Sequence, residues 1–235
     1  MKYITLFEGQ TAFDEAKSTL DRPNVSYVKE TGNVYSLAVG GGGVTYEYVD
    51  LGLSVKWAKC NVGATSETDA GLYFAWGETT GYTASQVGTD KQFSWSDYKY
   101  GNSDSNLTKY NQSDGKTVLE STDDAATQIM GGNWRMPTKA EFDELLSGTT
   151  KEWTTINEVN GYKFTGSNGN SIFIPAAGYC YGGSVRNVGN HGYVWSSSLS
   201  TPSPYAAWYL RFSSGDCYMG NDLRCSGWSV RGVRK

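Results

Sequence analysis

The chain has 235 residues, of which 38% are hydrophobic and 14% aromatic, and its formal net charge is −4. That length fits one large domain with a short appendage. The weak negative charge, without a long basic run, gives nonspecific nucleic-acid binding no electrostatic support. No segment approaches the roughly 20 apolar residues of a membrane-spanning helix. We therefore expect no nucleic-acid partner and no membrane insertion.

Residues 1–39 are predicted to form a small α/β appendage. Thr11 is expected to cap a short helix, and residues 25–28 and 33–37 have the composition of two strands around a Thr-Gly turn. Four consecutive glycines follow within residues 40–45, a pattern typical of a flexible linker. We therefore expect a linker there, ahead of the main domain. The N-terminus carries no apolar run of signal-peptide length, which predicts synthesis in the cytoplasm without general secretion.

The main domain, residues 46–235, is predicted to belong to the α+β class. Residues 44–76 are rich in strand-forming residues, whereas residues 77–120 are polar and predict a long, mostly irregular excursion. Two helices are expected next, and strands separated by glycine-rich turns after them. The expected later strands are 162–165, 171–175, 193–197, 207–212, 217–219 and 229–233.

The two helices carry start signals. Ser121 or Thr122 is expected to cap a helix over residues 123–130. The segment Thr138–Glu141 has the pattern of a capping box, which predicts a second helix that continues through Leu146.

Few residues suggest a metal or a catalytic centre. The cysteines lie far apart and His191 is the only histidine, so we expect reduced thiols, no structural disulfide, no metal and no cofactor. His191 stands in a glycine-rich turn, which favours a surface position over a catalytic base. The carboxylates near the helix starts are better explained as caps than as an acid–base pair. The cysteines are Cys60, Cys180, Cys217 and Cys225, and the carboxylates are Asp123, Asp124, Glu141 and Glu144.

Seven motifs occur in order along the main domain: Tyr48–Ala58, Phe74–Thr79, Asp123–Ala126, Gly132–Thr138, Ile172–Gly178, Trp195–Ser197 and Ser229–Arg231. Together they resemble the Fibrobacter succinogenes major paralogous domain, a branch of the C-type-lectin fold close to the formylglycine-generating-enzyme type. The appendage resembles leader modules on proteins of phages and prophages of gut Bacteroidales. The resemblance implies a C-type-lectin-like fold for residues 46–235.

The same fold type hosts variable proteins of diversity-generating retroelements, in which a C-terminal stretch is rewritten at adenines. This resemblance implies a ligand-binding protein of receptor-binding or adhesin type, with a protein or glycan receptor on a cell surface. It also allows a homo-oligomer and a place at a phage tail tip. The implied ligand-binding residues are Tyr205, Trp208, Tyr209, Arg211, Ser213, Asp216, Tyr218, Gly220, Asp222, Leu223, Cys225 and Ser226. All except Trp208 are reachable from an asparagine codon by changing adenines.

Strand alternation predicts how this stretch is arranged. If Leu210 and Phe212 point inward, Tyr209 and Arg211 point outward. We therefore expect one exposed surface that displays Tyr205, Tyr209, Arg211, Asp216, Tyr218, Asp222 and Leu223.

Two alternatives remain open. One is a carbohydrate-binding or adhesin domain of fixed sequence, although calcium-dependent lectin motifs are absent and the string Gly220–Asp222 lacks their partner motif. The other is an enzyme of the formylglycine-generating type, but Cys217 and Cys225 do not stand in its cysteine motif. The expectation is a binding protein and not an enzyme.

Overall fold

The computed structural model describes residues 2–8, 25–29, 34–39 and 46–235. The chain divides into two compact units, Met1–Tyr46 and Glu47–Lys235. In the first unit, strands β1 (Lys2–Glu8), β2 (Val25–Lys29) and β3 (Val34–Val39) form an antiparallel sheet in the order β1–β3–β2.

Two of these three strands follow the sequence prediction. The segments expected at 25–28 and 33–37 correspond to β2 and β3, whereas β1 was not predicted. The helix expected to begin at Thr11 and the linker at 40–45 lie outside the described residues.

The second unit consists mostly of β-strands with few helices, so the predicted mixed α+β class is confirmed. Its strands are β4 (Tyr48–Val49), β5 (Lys56–Asn61), β6 (Tyr73–Phe74), β7 (Thr149–Ile156), β8 (Val159–Gly166), β9 (Ser171–Pro175), β10 (Tyr179–Tyr181), β11 (Ser184–Arg186), β12 (His191–Leu199), β13 (Ala206–Ser213), β14 (Cys217–Leu223), β15 (Trp228–Ser229) and β16 (Arg231–Arg234). Its helices are α1 (Ala125–Met130) and α2 (Lys139–Gly148).

The two helices begin on carboxylate and hydroxyl caps. The capping box predicted at Thr138–Glu141 is confirmed, because the Thr138 side chain accepts from the Glu141 amide and the Glu141 side chain accepts from the Thr138 amide. The cap predicted for α1 is wrong. A short 3₁₀ turn over Ser121–Asp123 precedes it, and Asp124 is the cap, accepting from the Thr127 amide at 2.8 Å.

Residues 77–120 contain neither an α-helix nor a longer strand, as predicted, and only short 3₁₀ turns at Ala84–Gln86 and Trp95–Asp97 interrupt them. This excursion is tied to the domain by the carboxylate of Asp123. Its oxygens accept hydrogen bonds from the hydroxyls of Tyr100 and Tyr110 and from the Lys109 ammonium. A satisfied buried carboxylate of this kind replaces the missing secondary structure as an anchor.

A five-stranded sheet in the order β14–β13–β12–β15–β6 runs through the second unit. Strands β12, β13 and β14 are consecutive and antiparallel. Two three-stranded sheets (β7–β8–β9 and β16–β5–β4) and the hairpin β10–β11 complete the unit. The pairing of β5 with β16 joins the beginning of the unit to its end.

The five-stranded sheet has a hydrophobic core on each face. Ala207 and Tyr209 of β13 belong to the aromatic core, which also contains Trp76, Trp195 and Trp228. The alternate residues Leu210 and Phe212 belong to a second core with helix α2 and strands β8 and β9. The prediction that Tyr209 points to solvent is therefore wrong, because alternation here divides residues between two cores and leaves Tyr209 only 7% exposed.

Candidate binding face

One face of β12, β13 and β14 carries several polar and aromatic residues that reach solvent. Cross-strand register aligns Tyr193 with Arg211 and Arg211 with Tyr218. Residues directly opposite each other in an antiparallel pair project to the same side of the sheet. These three side chains therefore form one row across the sheet, and we call this surface, with Ser213, Asp216, Gly220 and Asp222, the β12–β14 face.

Arg211 is fixed at the centre of this row. Its Nη1 donates to Asp216 Oδ2 at 2.8 Å and to the Tyr218 hydroxyl at 2.9 Å, and its guanidinium carbon lies 5.4 Å from the centre of the Tyr218 ring. Burial alone would lower the pKa of Arg211, but hydrogen bonds with Tyr193 and Asp216 raise it overall. The arginine is therefore a permanent, oriented cation, while the Tyr218 ring remains 44% exposed.

Asp216 closes the hairpin between β13 and β14. Its other carboxylate oxygen accepts a hydrogen bond from the Ser213 hydroxyl. The hydrogen bonds from Ser213 and Arg211 lower the pKa of Asp216, so that it is ionised at neutral pH. The Arg211–Asp216 pair thus presents both charge signs beside an exposed aromatic ring.

A stack of rings adjoins the row on the same side of the sheet, because Tyr209 and Trp195 lie two residues from Arg211 and Tyr193 along their strands. Tyr193 stacks on His191 at 6.1 Å and on Tyr209 at 5.9 Å, measured between ring centroids. Tyr209 lies 4.0 Å from Trp228, and Trp228 lies 3.6 Å from Trp195. Such close ring packing favours a single arrangement of the residues beside it.

Gly220 on β14 leaves room for this stack. A Cβ atom at Gly220 would lie 2.9–3.0 Å from atoms of the Tyr209 ring and hydroxyl. Any larger residue would therefore displace Tyr209, and Gly220 serves the packing of the face and offers no side chain to a ligand.

The structure separates the sequence-predicted site residues by exposure. Three of them are buried, namely Tyr209, Cys225 and Ser226. Cys225 and Ser226 follow the hairpin and turn into the domain before β15. The partly or fully exposed ones are Tyr205, Trp208, Arg211, Ser213, Asp216, Tyr218, Gly220, Asp222 and Leu223.

The exposed residues do not form the single patch that was predicted. Tyr205 precedes β13 and lies six positions before Arg211, a distance of about 20 Å along an extended strand. Trp208 projects to the opposite side of the sheet from Arg211, where the Lys139 ammonium lies 4.8 Å from its ring. Leu223 packs against the aromatic core. Trp208 therefore lies on the other side of the sheet from the cluster around Arg211, whereas Tyr205 lies beside the Asp222 end of β14, where its carbonyl accepts from the Arg224 amide.

Sequence reasoning missed residues of β10 and β12 on this face. Tyr193 lies directly opposite Arg211, and the Tyr179 ring lies 5.1 Å from that of Tyr193. His191 was predicted in a turn, but it begins β12 and is partly buried against Tyr193. The alternation His191, Tyr193, Trp195 along β12 was the available signal, since it matches the alternation of β13.

The thiols contribute no reactive group at neutral pH. Burial raises the pKa of Cys180, Cys217 and Cys225 to about 12, and it also raises that of Cys60. Among the described residues, no group of three or more histidine, cysteine, aspartate or glutamate side chains could hold a metal ion. No helix in the described part of the chain is long and apolar enough to cross a membrane. What the β12–β14 face offers chemically is contact area, hydrogen bonds and a fixed ion pair.

Comparison of the chain with protein-family models, with curated proteins and with solved structures found no match.

Proposed function

We propose that residues 47–235 form a C-type-lectin-like domain of receptor-binding or adhesin type, and that its β12–β14 face contacts a macromolecular ligand on a cell surface. The ordered motifs support the fold assignment. Further support comes from the pairing of β5 with β16, which closes the unit on itself as a single scaffold. The proposal includes synthesis in the cytoplasm and display on a virion or a cell.

The observation that carries this proposal is the exposed Tyr218 ring held over an already paired Arg211. Tyrosine and arginine dominate the binding energy of many interfaces, because they provide large contact areas with few rotatable bonds. Here both side chains are ordered before any ligand arrives, so binding would cost little side-chain entropy. A purely structural role does not require a ring that is 44% exposed.

We also propose that this face is the diversified surface. Arg211, Ser213, Asp216, Tyr218 and Asp222 can be exchanged without opening a core, because each reaches solvent. The buried Tyr209, Cys225 and Ser226 and the packed Gly220 are expected to stay constant. A neighbouring reverse-transcriptase gene with a near-copy of the last codons, and natural variants that differ at the first set alone, would be the matching genomic observation. Identical sequences at all of these positions would favour an adhesin of fixed sequence.

Cell binding by the full chain tests the proposal. The labelled protein is titrated onto intact gut Bacteroidales cells, and Tyr218→Ser is compared with Tyr48→Ser. Tyr48 is a matched control, because it is 47% exposed but lies in the β16–β5–β4 sheet. We expect Tyr218→Ser to weaken binding by about tenfold or more and Tyr48→Ser to leave it unchanged.

Two further arms make that experiment decisive. Both variants should keep a melting temperature within a few degrees of the parent, since exposed substitutions typically cost about 0.5 kcal/mol or less. Treatment of the cells with protease or with periodate distinguishes a protein receptor from a glycan. Equal binding by the two variants, or no binding to any cell tested, would contradict the proposal.

A further inference from the structure

Strand β14 pairs along only one of its edges with a strand in the described part of the chain. It is the last strand of the five-stranded sheet, and all seven of its residues pair in unbroken register with β13. No described strand pairs with its other edge. It contains no proline, lysine or bulge, which are the features that commonly protect such an edge from pairing with another chain.

The backbone groups of this edge are available. The Ser213 amide donates to the Asp216 carbonyl at 2.9 Å, and bonded pairs in an antiparallel ladder recur at every second residue. The amide and carbonyl groups of Cys217, Met219 and Asn221 therefore point away from β13. They have no hydrogen-bond partner among the described residues. Leu223 limits the edge, since its amide donates to Asp222 and its carbonyl accepts from Ser226.

The side chains beside this edge indicate what it accepts. Asp216, Tyr218, Gly220 and Asp222 alternate with the outward-pointing backbone groups and project to the β12–β14 face. Asp222 forms no ion pair with any described residue, and the bare Gly220 leaves the Tyr209 ring next to the edge. A strand alongside would therefore meet a carboxylate near one end and an aromatic surface at its centre.

A second copy of the chain does not fit this edge well. Two β14 strands paired antiparallel about Gly220, the middle residue of β14, would set Asp222 of one copy opposite Tyr218 of the other and leave it without a cation, and pairing about Met219 would set it opposite Asp216. Like charges directly opposite each other destabilise a strand pair. A strand with a basic residue at that position gains an ion pair instead, so charge complementarity favours a partner of different sequence.

We infer that β14 is a recognition edge to which an extended segment of a protein ligand adds as a further strand. Outward amide groups of Cys217, Met219 and Asn221 supply the main-chain hydrogen bonds. A lysine or arginine of the segment lies near Asp222, and an apolar side chain lies over Gly220 beside the Tyr209 ring. This inference rests on the proposed function and specifies its ligand as a protein with an exposed extended segment.

A peptide library tests the inference. Random peptides displayed on phage are selected against the full chain, and the recovered peptides are titrated against Met219→Pro and Met219→Leu. The Met219 amide points outward, so proline removes a bond to the ligand and none to β13, whereas leucine keeps the packing of the side chain on the second core. We expect peptides with alternating apolar residues and at least one lysine or arginine, which bind Met219→Pro about tenfold more weakly or worse and bind Met219→Leu normally.

Two measurements keep the test valid if Met219→Pro does not fold. Asp222→Lys replaces an exposed side chain that accepts a hydrogen bond from the Leu223 amide, and it should reverse the selection from basic to acidic peptides. Hydrogen exchange of the Cys217, Met219 and Asn221 amides should slow when a selected peptide binds. Recovery of no peptide, equal affinity for a folded Met219→Pro, or a dimer of the parent chain that Met219→Pro dissociates would overturn the inference.

The same variants separate this inference from the proposed function. If cell binding falls in Tyr218→Ser but not in Met219→Pro, the β12–β14 face binds the ligand and the edge does not. If neither substitution changes cell binding, the proposed function itself fails.

Discussion

The β13–β14 hairpin and the segment that follows it both contain arginine, but they accommodate the charge differently. Arg211 in the hairpin is partly exposed and pairs with the carboxylate of Asp216. Arg224 and Arg231 in the following segment are fully buried, and neither pairs with a carboxylate among the described residues. The surface charge is balanced by a charge, whereas the buried ones are balanced by backbone carbonyls and rings.

Arg231 illustrates the buried case. Its guanidinium donates to the carbonyls of Ala58, Lys59 and Phe173 and to the Asn61 side chain, at 2.5–3.0 Å. It thereby joins the end of the chain to β5 and β9. Burial lowers its pKa to about 10, so it stays protonated at neutral pH.

Arg224 serves the same purpose elsewhere. Its guanidinium carbon lies 5.4 Å from the centre of each of the Trp76 and Tyr98 rings, and its nitrogens donate to the carbonyls of Lys109, Tyr110 and Pro204. The polar residues of residues 206–235 are therefore of two kinds. Some connect distant segments and cannot change, and others form a surface that can.

The largest effect is expected at Arg231. Arg231→Met leaves several buried carbonyl groups without donors, which should lower the free energy of unfolding by at least about 3 kcal/mol. Urea denaturation measures it. Arg231→Lys keeps the charge with fewer hydrogen bonds and should fall between the parent and Arg231→Met. A loss under about 1 kcal/mol for Arg231→Met would mean that these bonds contribute little.

The next largest difference in the free energy of unfolding is expected between substitutions of Tyr209 and Tyr218, the two tyrosines of the hairpin. Tyr209→Ala opens a cavity in the aromatic core and should cost about 3 kcal/mol or more, whereas Tyr218→Ala should cost about 0.5 kcal/mol or less. Both are measured by thermal and urea unfolding. Similar losses for the two variants would contradict the division into a fixed and an exchangeable set.

Asp123 adds a buried carboxylate to the comparison. Burial alone would raise its pKa, but hydrogen bonds from Lys109, Tyr100 and Tyr110 outweigh burial and lower the pKa to about 2. Because the folded pKa is depressed, this stabilisation is complete above about pH 4 and is lost as the pH falls to about 2. Asp123→Asn should therefore cost about 2 kcal/mol at neutral pH and weaken the pH dependence between pH 4 and 2.

A matched variant tests the cause of that acid dependence. Asp216→Asn removes a carboxylate that is partly exposed, so its effect on the unfolding curve at any pH should be much smaller. If Asp123→Asn loses stability between pH 4 and 2 as steeply as the parent, Asp123 is not the cause of the acid dependence.

A small effect on stability is also expected at the surface pair. The double variant Arg211→Ala and Asp216→Asn should lower the free energy of unfolding by about 1 kcal/mol or less. Its effect on cell binding should be far larger, since it removes the ordered cation beside Tyr218. If this variant unfolds, or if its cell binding is unchanged, the surface pair does not differ from the buried arginines in serving binding more than stability.

The sequence patterns predicted the secondary-structure elements better than they predicted what surrounds each side chain. The capping box at Thr138–Glu141 and the strand of β13 depend on neighbouring residues, and both predictions agree with the structure. The predicted orientation of Tyr209 disagrees with the structure. Periodicity distinguishes the two faces of a strand, but it does not indicate whether solvent or a second core covers each face. Asp124 was missed as a cap for a similar reason. Its carboxylate also accepts from the distant Met136 amide, a contact that only the folded chain provides.

The buried arginines could not be predicted from composition, because arginine is almost always exposed unless it is paired. The residues of β12 on the binding face were missed because they lie before the segment that the family resemblance emphasised. Knowledge of the β12–β13 register would have added Tyr193 at once, since it lies opposite Arg211.

The sheet β16–β5–β4 brings the first and last strands of the second unit close together. Only β5 lies between β4, the first strand of the unit, and β16, its last strand. Two strand spacings amount to about 10 Å, and a two-residue offset along β5 adds about 7 Å at right angles to it, so Tyr48 and Arg234 lie close together. A short linker could join these two points, and new termini could then be opened in the exposed loop of residues 101–106 without interrupting a sheet. Such a permuted unit would keep the β12–β14 face. A copy of the unit inserted into a loop of a carrier protein would present the same face, held by two neighbouring linkers.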